Sequence, residues 1–139
     1  MKVLGLDPGA STGCALFEDG KLISLSTIEP WRIPEVIQLM ADRVIFEDSR
    51  LQSNVWGVSK MPRAAAMKVA RNIGQIDAWC ALIVAVCDVC KVPAHGISPK
   101  GKGAKLDAGQ FAKVTGYDLR SNQHERDAGM VAWAYRNAA

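Results

Sequence analysis

Four side chains in this 139-residue chain are of types that do chemistry together: Asp7, Glu47, His124 and Asp127. Asp7 closes the apolar segment Val3-Leu4-Gly5-Leu6, directly before Pro8-Gly9, and Glu47 closes a second one, Val44-Ile45-Phe46. His124 and Asp127 are three residues apart, on one face of a helix that carries both. Clustered carboxylates repel one another unless cations neutralise them. Oxygen-rich sets suit Mg2+ or Mn2+, and two such ions ~4 Å apart form the usual clamp for in-line attack on a phosphodiester. Each residue also has an ordinary reading. An Asp before Pro-Gly is common turn chemistry, Glu47 with Asp48 could be loop acids, and Asp127 could merely complement a helix dipole. The chemical reading gains weight because all three fall at the ends of elements that should converge.

The elements that must position them follow from pattern and punctuation. Residues 2–6 are strand-like and broken by Asp7-Pro8-Gly9; Thr12 to Phe17 is a second strand, Asp19-Gly20 a hairpin turn, and Leu22 to Ile28 a third strand. Pro34 suits the first turn of a helix reaching about Ala41. Val44 to Phe46 reads as a short strand buried on both faces. Residues 48–61 are polar and irregular and hold Trp56-Gly57. A long helix is predicted from about Pro62 to about Val89, amphipathic at first, with Lys68, Arg71 and Gln75 on one face. Its second half, Ala78 to Cys87, is apolar all round, which predicts burial. Val92 to Ile97 is a fifth strand, Ser98 to Ala104 a Gly/Lys loop, and Asp107 to Val114 a short helix ended by Gly116. Asn122 with Glu125 three residues on opens a last helix whose core stripe is Ala128, Val131, Ala132 and Tyr135. The order β-β-β-α-β-α-β-α-α predicts an α/β fold: one domain over 1–139, with a mixed five-stranded sheet, its first three strands antiparallel, flanked by helices.

Net charge is +3, unevenly spread. Residues 1–48 are acidic, whereas 49–76 carry Arg50, Lys60, Arg63, Lys68 and Arg71 with no acid, and 91–106 carry Lys91, Lys100, Lys102 and Lys105 with none. Two basic blocks in a nearly neutral chain suggest a polyanion footprint; solvated loops and a polar helix face are the plain alternative. Apolar residues are 49% of the chain, which excludes disorder. The longest uncharged apolar run, Cys80 to Cys87, falls short of the ~18 residues of a membrane span, so no membrane partner is expected. The four cysteines show no zinc spacing beyond Cys87-x-x-Cys90 and read as buried, inert thiols of a cytoplasmic protein.

Leu4-Gly5-Leu6-Asp7-Pro8-Gly9 followed by Thr12-Gly13 resembles the opening strand and hairpin of RuvC-type Holliday junction resolvases, which have the ribonuclease H-like fold. The resemblance continues through Glu47, through Ala66-Met67-Lys68-Val69-Ala70-Arg71 leading to Gly74, through Pro99-Lys100 with Gly101, Gly103, Ala104 and Lys105, and ends at His124-x-x-Asp127-Ala128. Asp7 and Glu47 are 40 residues apart, so the middle looks trimmed, as in the compact versions carried by phages and prophages. The resemblance implies that Asp7, Glu47, His124 and Asp127 are the metal-binding catalytic set. It also implies a homodimer acting on four-way junctions in a bacterial or phage-infected cell.

On this reading Asp7 bridges two Mg2+ ions (Mn2+ being a possible substitute), Glu47 and Asp127 hold one each, and His124 ligates a metal or relays a proton. Lys68, Arg71, Lys100, Lys102 and Lys105 then bind flanking phosphates, and Trp56 stacks on bases at a branch. Trp31, Trp79 and Trp133 read as core or dimer surface. Two rivals remain at this level. One is a non-catalytic module that binds branched DNA. The other is an actin-like or sugar-kinase ATPase, whose phosphate loop Asp7-Pro8-Gly9-Ala10-Ser11-Thr12-Gly13 also resembles; that class needs two such domains and a second Gly-rich loop.

Overall fold

A computed structural model describes residues 1–52, 60–101 and 103–137. Strands β1 (Lys2–Asp7), β2 (Thr12–Glu18) and β3 (Lys21–Ile28) form an antiparallel meander. The β2–β3 turn has Asp19 at φ 50° and Gly20 at φ 82°, the doubly left-handed geometry that suits the right-handed twist of a hairpin. Helix α1 (Ile33–Met40) carries Pro34 in its first turn and leads into β4 (Arg43–Glu47), which pairs parallel with β1. Helix α2 (Arg63–Cys90) is followed by β5 (Ala94–Ile97), parallel to β4. Helices α3 (Ala108–Thr115) and α4 (Gln123–Trp133) complete the chain, each opened by a full capping box, from Asp107 with Gln110 and from Asn122 with Glu125. Strand order is β3-β2-β1-β4-β5.

Side chains alternate across a strand, so the sheet has two apolar faces to cover. Leu4, Leu6, Cys14, Val44 and Phe46 face one way and pack under α1 and α2, against Ile33, Val36, Ile37, Cys80, Ile83 and Cys87. Val3, Ala15, Phe17 and Ile45 face the other way and pack under α3 and α4, against Phe111, Ala128, Val131 and Ala132. On that second face the fit is unusually close. A Cβ on Gly5 would overlap the Ala128 carbonyl oxygen, and one on Gly13 would overlap the His124 carbonyl. Gly129 of α4 is closed in the same way by the Phe111 ring, at 2.8 Å from where a Cβ would stand.

Three sequence expectations are corrected. First, the second half of α2 is not buried all round. Only Cys80, Ile83 and Cys87 of this helix are buried, while Val84 is 42% and Val89 80% exposed, because one side of the helix meets the domain and nothing among the described residues covers the other. By length and composition α2 is also apolar enough to cross a membrane, although isolated charges interrupt its apolar run; its buried side belongs to the domain core. Second, β5 starts at Ala94 rather than Val92. Pro93 has no N–H to give a ladder, although its carbonyl still accepts from Val44 N at 2.9 Å. Third, α4 stops at Trp133, so Tyr135 lies in the turn beyond it, where it packs on the same core and against the His95 ring at 5.1 Å. Trp31 is 68% exposed, Trp79 half-buried, and Trp133 packs at a tilt against Phe17 with the Arg136 guanidinium over its ring.

All four cysteines are free, and burial pushes the Cys14 thiol up to about 12 and that of Cys87 up to about 11. Cys14 and Cys87 are therefore unreactive at neutral pH, whereas Cys90 is half-buried rather than buried as the sequence suggests. The close approach of α4 to the sheet makes Gly13→Ala a steric test: the variant should lose about 1–3 kcal/mol or more of stability, read as a shift of the urea midpoint without a change of slope.

Candidate active site

The parity of the strands decides where the carboxylates point. Leu4 and Leu6 of β1 face α1 and α2, so Asp7 belongs with Val3 and Gly5 on the α4 side. In β4, Val44 and Phe46 face α2, so Glu47 belongs with Ile45 on the α4 side as well. Leu6 pairs with Phe46 in the parallel ladder, which leaves Asp7 and Glu47 as the next residues of two adjacent strands, at the same end and on the same face. The end of β1 is held by its own loop: the buried Thr12 hydroxyl donates to Gly9 O at 2.9 Å.

Helix α4 brings His124 to this edge. Asp7 lies directly across from Gly13 in the β1–β2 ladder, and the backbone of His124 rests on Gly13. His124 Nδ1 is consequently 3.8 Å from Asp7 Oδ2, in ion-pair range but beyond a direct hydrogen bond. Asp127, one turn on, is buried; its Oδ1 accepts from Gln123 Nε2 at 2.7 Å, and its Oδ2 is 3.9 Å from Lys105 Nζ. Asp7 and His124 thus meet, Glu47 stands on the neighbouring strand end, and Asp127 follows His124 on α4. Among the described residues no three His, Cys, Asp or Glu side chains close into a ligand cage. As a donor set, three carboxylates and an imidazole at one end of a sheet fit a hard divalent cation such as Mg2+ or Mn2+.

The neighbours of these residues point elsewhere, as their spacing predicts. Glu125 belongs to the α4 cap and accepts from the Thr27 hydroxyl at 3.0 Å. Asp48 is buried and accepts from Arg50 through Nε and Nη2, both at 2.9 Å, and through the backbone N at 3.0 Å. This forked guanidinium contact holds the Asp48 carboxyl below the usual carboxylate range, and it removes Arg50 from the cations free to meet a polyanion. Ser49 then ties the same loop to α2 by donating to Asp77 at 2.6 Å. The sequence reading missed this anchor and missed Gln123. The signals were present as Asp48-x-Arg50 and as the i, i+4 pair Gln123 and Asp127.

Of the cations assigned to nucleic acid, Lys105 stands beside Asp127, and Lys100 is exposed on the short 3-10 turn Pro99–Gly101. Lys68 and Arg71 are exposed on the first half of α2, where with Ala64, Met67 and Asn72 they line a shallow groove. Trp56 and Lys102 lie outside the described residues.

No protein-family model and no curated protein sequence matches the chain. Solved structures do. The structure of T. thermophilus RuvC in complex with Holliday junction substrate is similar at a TM-score of 0.65 and 16% identity, over 97% of this chain and 92% of that one. The Thermus thermophilus RuvC structure gives 0.63 and 15%, over 97% and 93%. The fold is therefore the ribonuclease H-like fold in its RuvC form, a mixed sheet in the order 3-2-1-4-5 flanked by helices.

Asp48→Asn tests the anchor behind Glu47. A carboxylate whose pKa is lowered by folding adds stability above its unfolded pKa, near 3.9, and loses it as pH falls through the folded value. The variant should be about 1–3 kcal/mol less stable at neutral pH, and this gap should narrow below about pH 4 in denaturation curves measured across pH.

Proposed function

We propose that the protein is a Mg2+-dependent endonuclease of branched DNA that resolves four-way junctions as a homodimer. The observation that supports this reading is the shared end and face of Asp7 and Glu47, with His124 of α4 at 3.8 Å from Asp7 and Asp127 one turn further along the same helix. Asp7, Glu47 and Asp127 would hold the metal through their oxygens, and His124 would either complete the set or take a proton. Bound there, the metal supplies a nucleophilic water at neutral pH and neutralises charge on the phosphodiester. The chain's own work is orientation. Gly13 sets the height of His124 over Asp7, and the Asp48–Arg50 anchor fixes the chain leaving Glu47. Lys100, Lys102, Lys105, Lys68 and Arg71 hold flanking phosphates without reading sequence, and Trp56 stacks on unpaired bases at the branch.

A four-way junction needs two symmetric cuts, so two copies related by a two-fold axis fit it. The uncovered apolar side of α2, with Val84 and Val89, supports that assembly, and the exposed Trp31 and Leu39 extend the same kind of surface around α1. Trp79, half-buried, divides its ring between the monomer and this surface.

Two outcomes follow. With Mg2+, the wild-type protein should nick labelled four-way junctions in pairs, while Asp7→Asn should bind them at least as tightly, having lost a negative charge facing phosphate, and leave them intact. A wild-type protein that retards junctions and never cuts them would be a branched-DNA-binding module instead. In sedimentation the protein should be a dimer at micromolar concentration, and Val89→Glu should drive it to monomer and abolish paired nicking; a monomer with and without junction DNA would overturn the paired-cut reading.

A further inference from the structure

Asp127 is the one buried member of the four-residue set, the others being half-buried or exposed. Its Oδ1 accepts from Gln123 Nε2 at 2.7 Å. Gln123 is itself held: its Oε1 accepts from Arg126 Nη2 at 3.3 Å. Arg126 is fastened in turn, donating through Nε to Leu106 O at 3.0 Å and through Nη1 to Ser121 O at 2.9 Å and Ser121 Oγ at 3.0 Å. The run has a chemical direction. A guanidinium only donates and an ionised carboxylate only accepts, so the group between them must accept on one side and donate on the other. A primary amide does both, and Arg126 leaves it a single orientation, with its NH2 toward Asp127.

We propose that Gln123 is a positioning residue for the Asp127 carboxylate and that Arg126 sets the orientation of Gln123, so that this carboxylate is aimed before any ligand arrives. The assignment rests on Asp127 belonging to the metal-binding set. Its consequence is structural economy: Arg126 joins the carbonyl of Leu106, the residue after Lys105, to the amide that holds Asp127. The end of the basic loop and the buried carboxylate are thereby tied to one guanidinium. A side chain that merely filled space at position 123 would do neither.

The test uses Mn2+ binding by calorimetry on the DNA-free protein, together with the side-chain amide signals of Gln123 in an 15N spectrum. Gln123→Met keeps length and helix propensity and leaves the Asn122 cap in place. It should weaken Mn2+ binding about 10-fold or more while thermal unfolding stays a single cooperative transition, its midpoint lowered by several degrees at most because the buried carboxylate loses a donor. In the wild type the Gln123 NH2 pair should be resolved and should move in Asp127→Asn. If Gln123→Met binds Mn2+ as the wild type does while Asp7→Asn does not, the positioning role is overturned and the metal site stands. If Asp7→Asn binds Mn2+ as the wild type does, or neither binds it, the metal reading fails. The spectrum then decides the positioning role by itself: a shift in Asp127→Asn upholds it, and signals that do not move overturn it.

Discussion

The carbonyl oxygens of His124 and Ala128 lie against Gly13 and Gly5, where any side chain would need the same space. This backbone-to-backbone approach of α4 to β1 and β2 sets the height of the helix over the sheet. Gly13 is the cross-strand partner of Asp7, so the helix touches down beside the first carboxylate. One turn later Asp127 is buried and Ala128 is locked over Gly5. A helix held off by ordinary side chains would sit at the usual sheet-packing distance and carry His124 and Asp127 away from Asp7. Interiors are close-packed, so such a displacement would not relax locally.

The two faces of the sheet carry different tasks. The α3–α4 side uses its small residues for closeness and carries Asp7 and Glu47 at its edge. The α1–α2 side is a conventional aliphatic core with an uncovered apolar outer surface on α2. Close backbone approach on one face and exposed apolar area on the other are thus kept apart by the sheet between them.

Around the site, loops are fixed by charge-directed contacts. The Asp48–Arg50 fork and the Ser49–Asp77 bond secure the chain after Glu47, and Arg126 secures both Leu106 and Ser121 on the approach to α4. Such bonds are directional, so they set orientation where apolar packing would set only distance. The basic loop of residues 98–106 therefore ends on a fixed point next to Asp127.

By itself the sequence determined the elements and the ends of the site. Local signals announce themselves: Asp19-Gly20 for the hairpin, Asn122 with Glu125 for the last cap, and Asp7 and Glu47 as strand-terminal carboxylates that period-two alternation sends to one face. Nearly every boundary was legible within two residues, and the fold class with it. Tertiary structure decided what depends on a partner distant in the chain. Exposure of the outer side of α2 was not legible, because an apolar helix reads the same whether its neighbour is its own domain or a second copy. The 3.8 Å meeting of His124 with Asp7 and the fastening of Arg126 to Leu106 O were also decided there. The distance between side chains so far apart in the chain follows from how closely two backbones approach, and that closeness is a property of the packed molecule, set where Gly5 and Gly13 meet α4.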